Sequence, residues 1–172
     1  MNAAVDGVAK STQDLAATLN SQIRPGQPSF FRLGAMLPKQ GRTDTPIAAT
    51  EKMTVVLKTY ASCGENELHA HTNEDHTFVV LQGRATFHGP KGEERTIGQY
   101  EGVMLPHGTF YWFRATSDEP LVMLRIGCTA GEGADIFERI GADGKLMDGF
   151  SVTNKQVEVI LTDKWFGAGQ KP

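Results

Sequence analysis

Three of the chain's five histidines fall within the stretch 67–83, ELHAHTNEDHTFVVLQG. His69 and His71 are two apart, and because strand side chains alternate faces, one strand would point both to the same side of a sheet. His76 follows a short polar turn, Thr72-Asn73-Glu74-Asp75, at the head of an apolar run. It joins the other two if that turn folds the second strand back antiparallel. Three imidazoles then converge on one point. Imidazole suits zinc, copper, iron and nickel, and a three-His set with open positions belongs to catalytic more than structural metal sites. The plainer alternative is a His-rich surface patch. Three imidazoles sit badly in a core without a partner, since each carries a polar nitrogen that is costly to bury unpaired.

The spacing also resembles a known family. Gly64, His69-x-His71, four residues to His76 and six more to Gly83 look like the first conserved motif of the cupins. The usual residue at the His76 position in that family is Glu. A second motif resembles Gly102-Val103-Met104-Leu105-Pro106-His107-Gly108-Thr109-Phe110-Tyr111, with Tyr111 where the family's last His is expected. Gly64 is one residue closer to the first His than the family norm, and Gly102 is nearer Pro106 than usual. The likeness runs over residues 52–127 and implies a metal held by His69, His71 and His76 inside a small β-barrel. It implies an all-β fold, a cupin-type double-stranded β-helix, or jelly-roll barrel, with a short N-terminal helix.

Charge narrows the chemistry. Three neutral imidazoles leave a divalent ion its full +2, whereas the family's His and Glu set would leave about +1. Such a site favours an anionic or enolisable ligand: a phenolate, an enolate or a carboxylate. The family likeness implies one divalent transition metal, Fe(II) favoured, with Zn, Mn, Ni or Cu as alternatives. It also implies a dioxygenase acting on a small phenolic, enolic or diketone-like molecule. Two other readings stand beside it: a non-redox isomerase or lyase using the ion as a Lewis acid, and a non-catalytic metal- or ligand-binding protein. Tyr111 is the candidate catalytic residue. It serves as a phenolate ligand, as a neutral hydrogen-bond donor or general acid, or only as a barrel aromatic. Alternation sets Phe78 and Val80 on the face of His76, and Phe113 on that of Tyr111, so these three are expected to line an aromatic, apolar substrate pocket. Val56, Lys58 and Tyr60 share one face of an earlier strand, inside or outside. His88 and His107 are expected at the surface.

The elements that must carry these residues are short and β-rich. Expected strands cover 29–33, 53–61, 67–72, 76–82, 85–88, 94–97, 102–105, 110–115, 121–126 and 157–161, divided by Gly, Pro, Asn and Asp turns. Residues 11–23 read as one helix: Ser11 and Asp14 form a capping pair, Leu15, Leu19 and Ile23 recur every four residues, and Pro25 ends it. Its apolar stripe is narrow, which suits the outside of the barrel or a partner subunit. Residues 34–50 and 129–150 read as loops, the first a lid candidate, the second a pocket cover or a connection. The expected division is an N-terminal helical segment over 1–28, a single barrel over 29–165 and a flexible tail over 166–172.

With 172 residues, 40% hydrophobic content and a net charge of −3, the chain reads as one ordinary soluble domain. No basic stripe suggests nucleic acid, and no apolar run approaches the ~20 residues needed to span a bilayer, so cytoplasm is the default. Cys63 and Cys128 make no disulfide framework and read as free thiols. A small-molecule substrate and a homodimer are the expected partners, with Trp112, opposite in parity to Tyr111, a candidate subunit contact.

Overall fold

The computed structural model describes residues 7–167. Helix α1 spans Thr12–Gln22 and is opened by Ser11, whose Oγ accepts a hydrogen bond from the Asp14 amide, while Asp14 accepts in return from the Lys10 amide. Twelve strands follow: β1 Gly34–Gln40, β2 Arg42–Ala49, β3 Met53–Tyr60, β4 His69–His71, β5 Glu74–Gln82, β6 Ala85–His88, β7 Glu94–Ile97, β8 Gly102–Leu105, β9 Trp112–Ala115, β10 Leu121–Thr129, β11 Arg139–Gly141 and β12 Ile160–Gly167. All named pairings are antiparallel.

Two sheets face each other. One has the order β2-β3-β10-β5-β8. The other is built from β7-β6-β9 and β11-β4, joined by bridges from His69 to Tyr111 and from Glu65 to Arg114. Between them lies a core of Tyr60, Phe78, Val80, Leu121 and Met123 against Ala85, Phe87, Phe113 and Ala115. The central strands of the larger sheet are buried on both faces. Leu57 and Val122 point away from the barrel and are covered by Ala35, Leu37 and Phe166 of the β1–β12 pair. Helix α1 reaches the barrel's open end, where Leu15 and Leu19 pack with Ala49 and Val56.

Three expectations about elements change. Residues 34–50, read as a loop, form β1 and β2, because Pro38 and Pro46 fall at breaks in strand register where no ladder amide is needed. Residues 29–33 form no strand and pair with nothing, and Phe30 is 94% exposed. Phe166 and Gly167, expected in a tail, pair with Ala35 and Gly34; residues 168–172 of that expected tail lie outside the described residues. No described helix is long and apolar enough to cross a membrane.

Leu57 has no solvent exposure although it lies outside the barrel interior. Leu57→Ala is therefore expected to cost about 2–5 kcal/mol, as for any large-to-small change in a packed core. Urea denaturation would check this; a loss below about 1 kcal/mol would mean that the β1–β12 layer does not seal the sheet.

Candidate metal centre

Alternation along β4 does place His69 and His71 on one face, both nearly fully buried. His76 arrives by a different route from the one expected. The turn does not fold β5 back onto β4: β4 pairs with β11, while β5 pairs with β10 and β8 in the facing sheet. His71 and His76 therefore meet across the barrel interior rather than along one hairpin, while His69 stands beside His71 but outside the set of ligand atoms that close on one another. Ring centroids are 5.3 Å apart for His69 and His71, and 4.7 Å apart for His71 and His76. Tyr111, opposite His69 through two backbone hydrogen bonds, has its hydroxyl 3.0 Å from His76 Nε2.

A fourth residue enters that sequence reading left in the polar turn. Glu74 opens β5 and is fully buried. It shares parity with His76 and Phe78, so the same alternation would have placed it inside. Both of its oxygens accept hydrogen bonds from Arg125 of β10. Its Oε2 also lies 3.4 Å from His71 Nδ1 and 4.0 Å from His76 Nδ1. Those two ring nitrogens are buried and have no hydrogen-bond partner. The ligand atoms of His71, Glu74 and His76 lie within 4.8 Å of one another, a cluster that could hold a metal ion.

Gly127 makes this arrangement feasible. It sits opposite His76 on β10, and a Cβ there would collide with the Glu74 carboxylate. A glycine inside a strand marks such a close approach.

A model of the cupin domain matches residues 56–127, the part of the chain that carries β3 to β10 almost entire. Over those residues the chain carries a cupin domain. Among solved structures, the Cnp3 cupin domain of Schizosaccharomyces pombe is similar with a TM-score of 0.50 at 10% identity, over 59% of this chain and 89% of its own. KdgF from a Halomonas species gives 0.47 at 22% identity, over 51% and 81%. The polyketide cyclase RemF from Streptomyces resistomycificus gives 0.47 at 18% identity, over 55% and 70%. At 10% identity the likeness to the Cnp3 domain is one of fold. No curated protein sequence matches the chain.

The centre opens onto a cavity of about 30 Å³, room for about two waters. His69, His71 and Tyr111 line it, while His76 does not reach its wall. Phe78 and Phe113 do line it, but Val80 belongs to the closed core behind them. The expected apolar pocket is instead largely ionic. Lys58 and Asp44 form an ion pair at 2.6 Å, and Arg42, Arg125 and Arg139 also face the space. Lys58 thus resolves the earlier ambiguity of its strand: the face it shares with Val56 and Tyr60 is the inner one. Arg125 had a visible signal, a lone charge in the apolar run LVMLRIG. The segment 129–150 covers the cavity, contributing Phe137, Arg139, Gly149 and Phe150. Leu15 of α1 also lines it, so the helix closes the barrel end rather than resting on its outer wall.

Other sequence candidates lie apart. His107 is exposed, its Nδ1 2.8 Å from Asp75 Oδ1. His88 stacks on Trp112 at 3.9 Å and Lys155 sits over the same indole, which occupies the residue expected at a subunit contact. Cys63 and Cys128 are free and exposed.

Burial sets the protonation states. It pushes the His69 imidazole down to about 3 and that of His76 to about 2, with nearby arginines adding to the effect. His71 is held well below its ordinary value for the same reasons. All three are neutral at pH 7, with lone pairs available. Burial lifts the Tyr111 phenol above its usual range, so it stays protonated. Burial also lowers Lys58 to about 8, against the opposing pull of Asp44.

Two measurements follow from these contacts. Below pH ~6.5 the unfolded chain takes up protons that the buried imidazoles refuse, so stability is full above that pH and falls as the pH drops. Chelator-treated protein should lose about 2 kcal/mol in all for each of the three histidines between pH 7 and 5, read from urea midpoints; a flat profile would place the rings in water. Separately, Gly127→Ala should break the Glu74–Arg125 pair at a cost of about 3–5 kcal/mol, lowering Tm on the order of 10 °C. Gly131→Ala, where an added Cβ meets nothing, is the control and should leave Tm unchanged.

Proposed function

We propose that this protein is a metal-dependent cupin enzyme acting on a small oxygenated organic substrate, with a divalent transition metal held by His69, His71, His76 and Glu74. The observation that carries the reading is the pair of buried, unpartnered ring nitrogens on His71 and His76 facing one carboxylate. Native interiors rarely leave such atoms unpaired, and a cation satisfies all three groups at once. The remaining contacts suit the assignment. Glu67 carbonyl accepts from His69 Nδ1, which leaves Nε2 with its lone pair. His76 can donate through Nε2 to the Tyr111 oxygen, freeing Nδ1.

Fe(II) and a dioxygenase reaction are the favoured form of this reading. Arg125 neutralises Glu74, so the ion's own +2 remains the charge offered to a ligand, which supports a phenolate, enolate or other anionic substrate. Bound there, iron would supply redox chemistry with dioxygen at open coordination positions. The chain's own residues orient and exclude. Phe78 and Phe113 present an aromatic wall, the covering segment keeps water out, and Tyr111 offers its proton toward the cavity. A non-redox isomerase or lyase is supported by one specific observation: Lys58, lowered to about 8, is suited to proton transfer near neutral pH. A homodimer belongs to the same proposal, supported by the exposed Phe30 and Phe31 and checked by light scattering.

Protein purified without added metal should contain about one equivalent of a transition metal, which His71→Ala and His76→Ala each remove. Oxygen uptake on a panel of phenols, enols and diketones separates the chemistries. Iron with uptake supports the dioxygenase, another metal without uptake the Lewis-acid enzyme, and the absence of stoichiometric metal defeats both. Tyr111→Phe should lower metal affinity or turnover about 10- to 100-fold, the usual effect of removing a ligand's outer hydrogen-bond partner; an unchanged value would make Tyr111 a packing residue.

A further inference from the structure

The cavity's cations are not equivalent. Arg42 donates to the carbonyls of Glu65, Gly149 and Asn154. Lys58 is paired with Asp44, and Arg125 with Glu74. Arg139 makes no hydrogen bond and no ion pair through its side chain with any described residue, and its Nε is buried without a partner. Its position is well defined nonetheless. Arg139 lies directly opposite His71 in the β11–β4 ladder, so the two side chains share the face that looks into the barrel. The guanidinium lies against Gly149, where a Cβ would stand 2.8–2.9 Å from its terminal atoms.

From this we infer that Arg139 is a carboxylate-binding residue, and that the natural ligand of the cavity is a small carboxylic acid whose anion pairs with Arg139 beside the histidine cluster. Arg139 is half-buried, its Nε is shut away from water without a partner and its terminal nitrogens meet no acceptor among the described residues, so the fork is free for a planar carboxylate to engage in bidentate fashion. Arg42, Lys58, Arg125 and Arg139 line the cavity against Asp44, and even with Glu74 behind Arg125 counted, positive charges exceed negative by two before any metal is bound. The free space, room for about two waters, can admit a small polar head group, and Phe78 and Phe113 offer an apolar surface beside it. Phosphate can engage the same fork but is bulkier and offers no planar apolar body for Phe78 and Phe113, so it is the anion against which carboxylates must be compared. The inference deepens the proposed function and rests on it for the site being in use, but acid binding is read without the metal.

Calorimetry and ligand-observed NMR would be run at low salt on protein as purified and after chelation. The probes are acetate, pyruvate and benzoate, with acetamide and benzamide as neutral analogues and inorganic phosphate as the competing anion. At least one acid should bind both preparations, and at least tenfold more tightly than the matching amide or phosphate. Arg139→Leu should abolish this preference, and Arg139→Lys, which keeps charge but not the planar fork, should weaken it severalfold, both with metal content unchanged. The lysine variant decides the matter if the leucine variant does not fold. Acids binding no better than amides, phosphate binding best, no acid binding at all, or wild-type acid affinity in Arg139→Lys would each overturn the assignment. Metal content and acid binding are scored separately, so loss of the metal centre and loss of the Arg139 role give different results.

Discussion

The centre of this barrel depends on one buried ion pair. Glu74 runs over Gly127 to reach Arg125, and in doing so brings its carboxylate beneath the rings of His71 and His76. A carboxylate with no solvent exposure is expensive unless its charge is met, and Arg125 meets it from the adjacent strand. Burial still raises the Glu74 carboxyl above its ordinary value despite that partner, a measure of how much desolvation the site tolerates. The pair aligns β5 with β10 on the inner face, and that alignment sets the depth at which His76 stands. Remove either charge and the other is stranded among aromatic rings.

The rest of the interior continues the same pattern of charges held in pairs. Asp44 and Lys58 repeat the arrangement on β2 and β3, and Arg42 is held by three carbonyls, two of them from the segment near Asn154. These contacts tie the late part of the chain to the early strands at the barrel mouth. The aromatic floor below, Phe78 with Phe113 and Tyr60, supplies the low-dielectric wall that makes each paired charge strong.

The legible part of this architecture was local. Two-residue spacing put His69 and His71 on one face, the density of short β-rich runs pointed to a sandwich or barrel, and the likeness of the histidine motif to the cupins implied the jelly roll. What stayed hidden was set by pairing between distant segments. Glu74 looked like a turn residue because its neighbours Thr72, Asn73 and Asp75 are polar, although its parity with His76 was there to be read. Arg139 sits in a glycine-rich stretch with no periodicity, and only the β11–β4 ladder sets it opposite His71. Strands β1 and β2 were masked by prolines whose missing amides cost nothing at register breaks. A four-residue link between His71 and His76 suggested a hairpin, yet the chain used it to cross from one sheet to the other.

The seam between β1 and β12 has a bearing on how the molecule is made. Gly34 lies against Gly167, so almost all of the described chain separates the two edges that must meet. Contacts of such separation are entropically slow to form. Until β12 has emerged and docked, β3 and β10 carry their Leu57 and Val122 flank open to water, a ready sticking surface on a nascent chain. The barrel can therefore assemble its histidines before it is sealed, and the interval between those two events is when the protein is most exposed to aggregation.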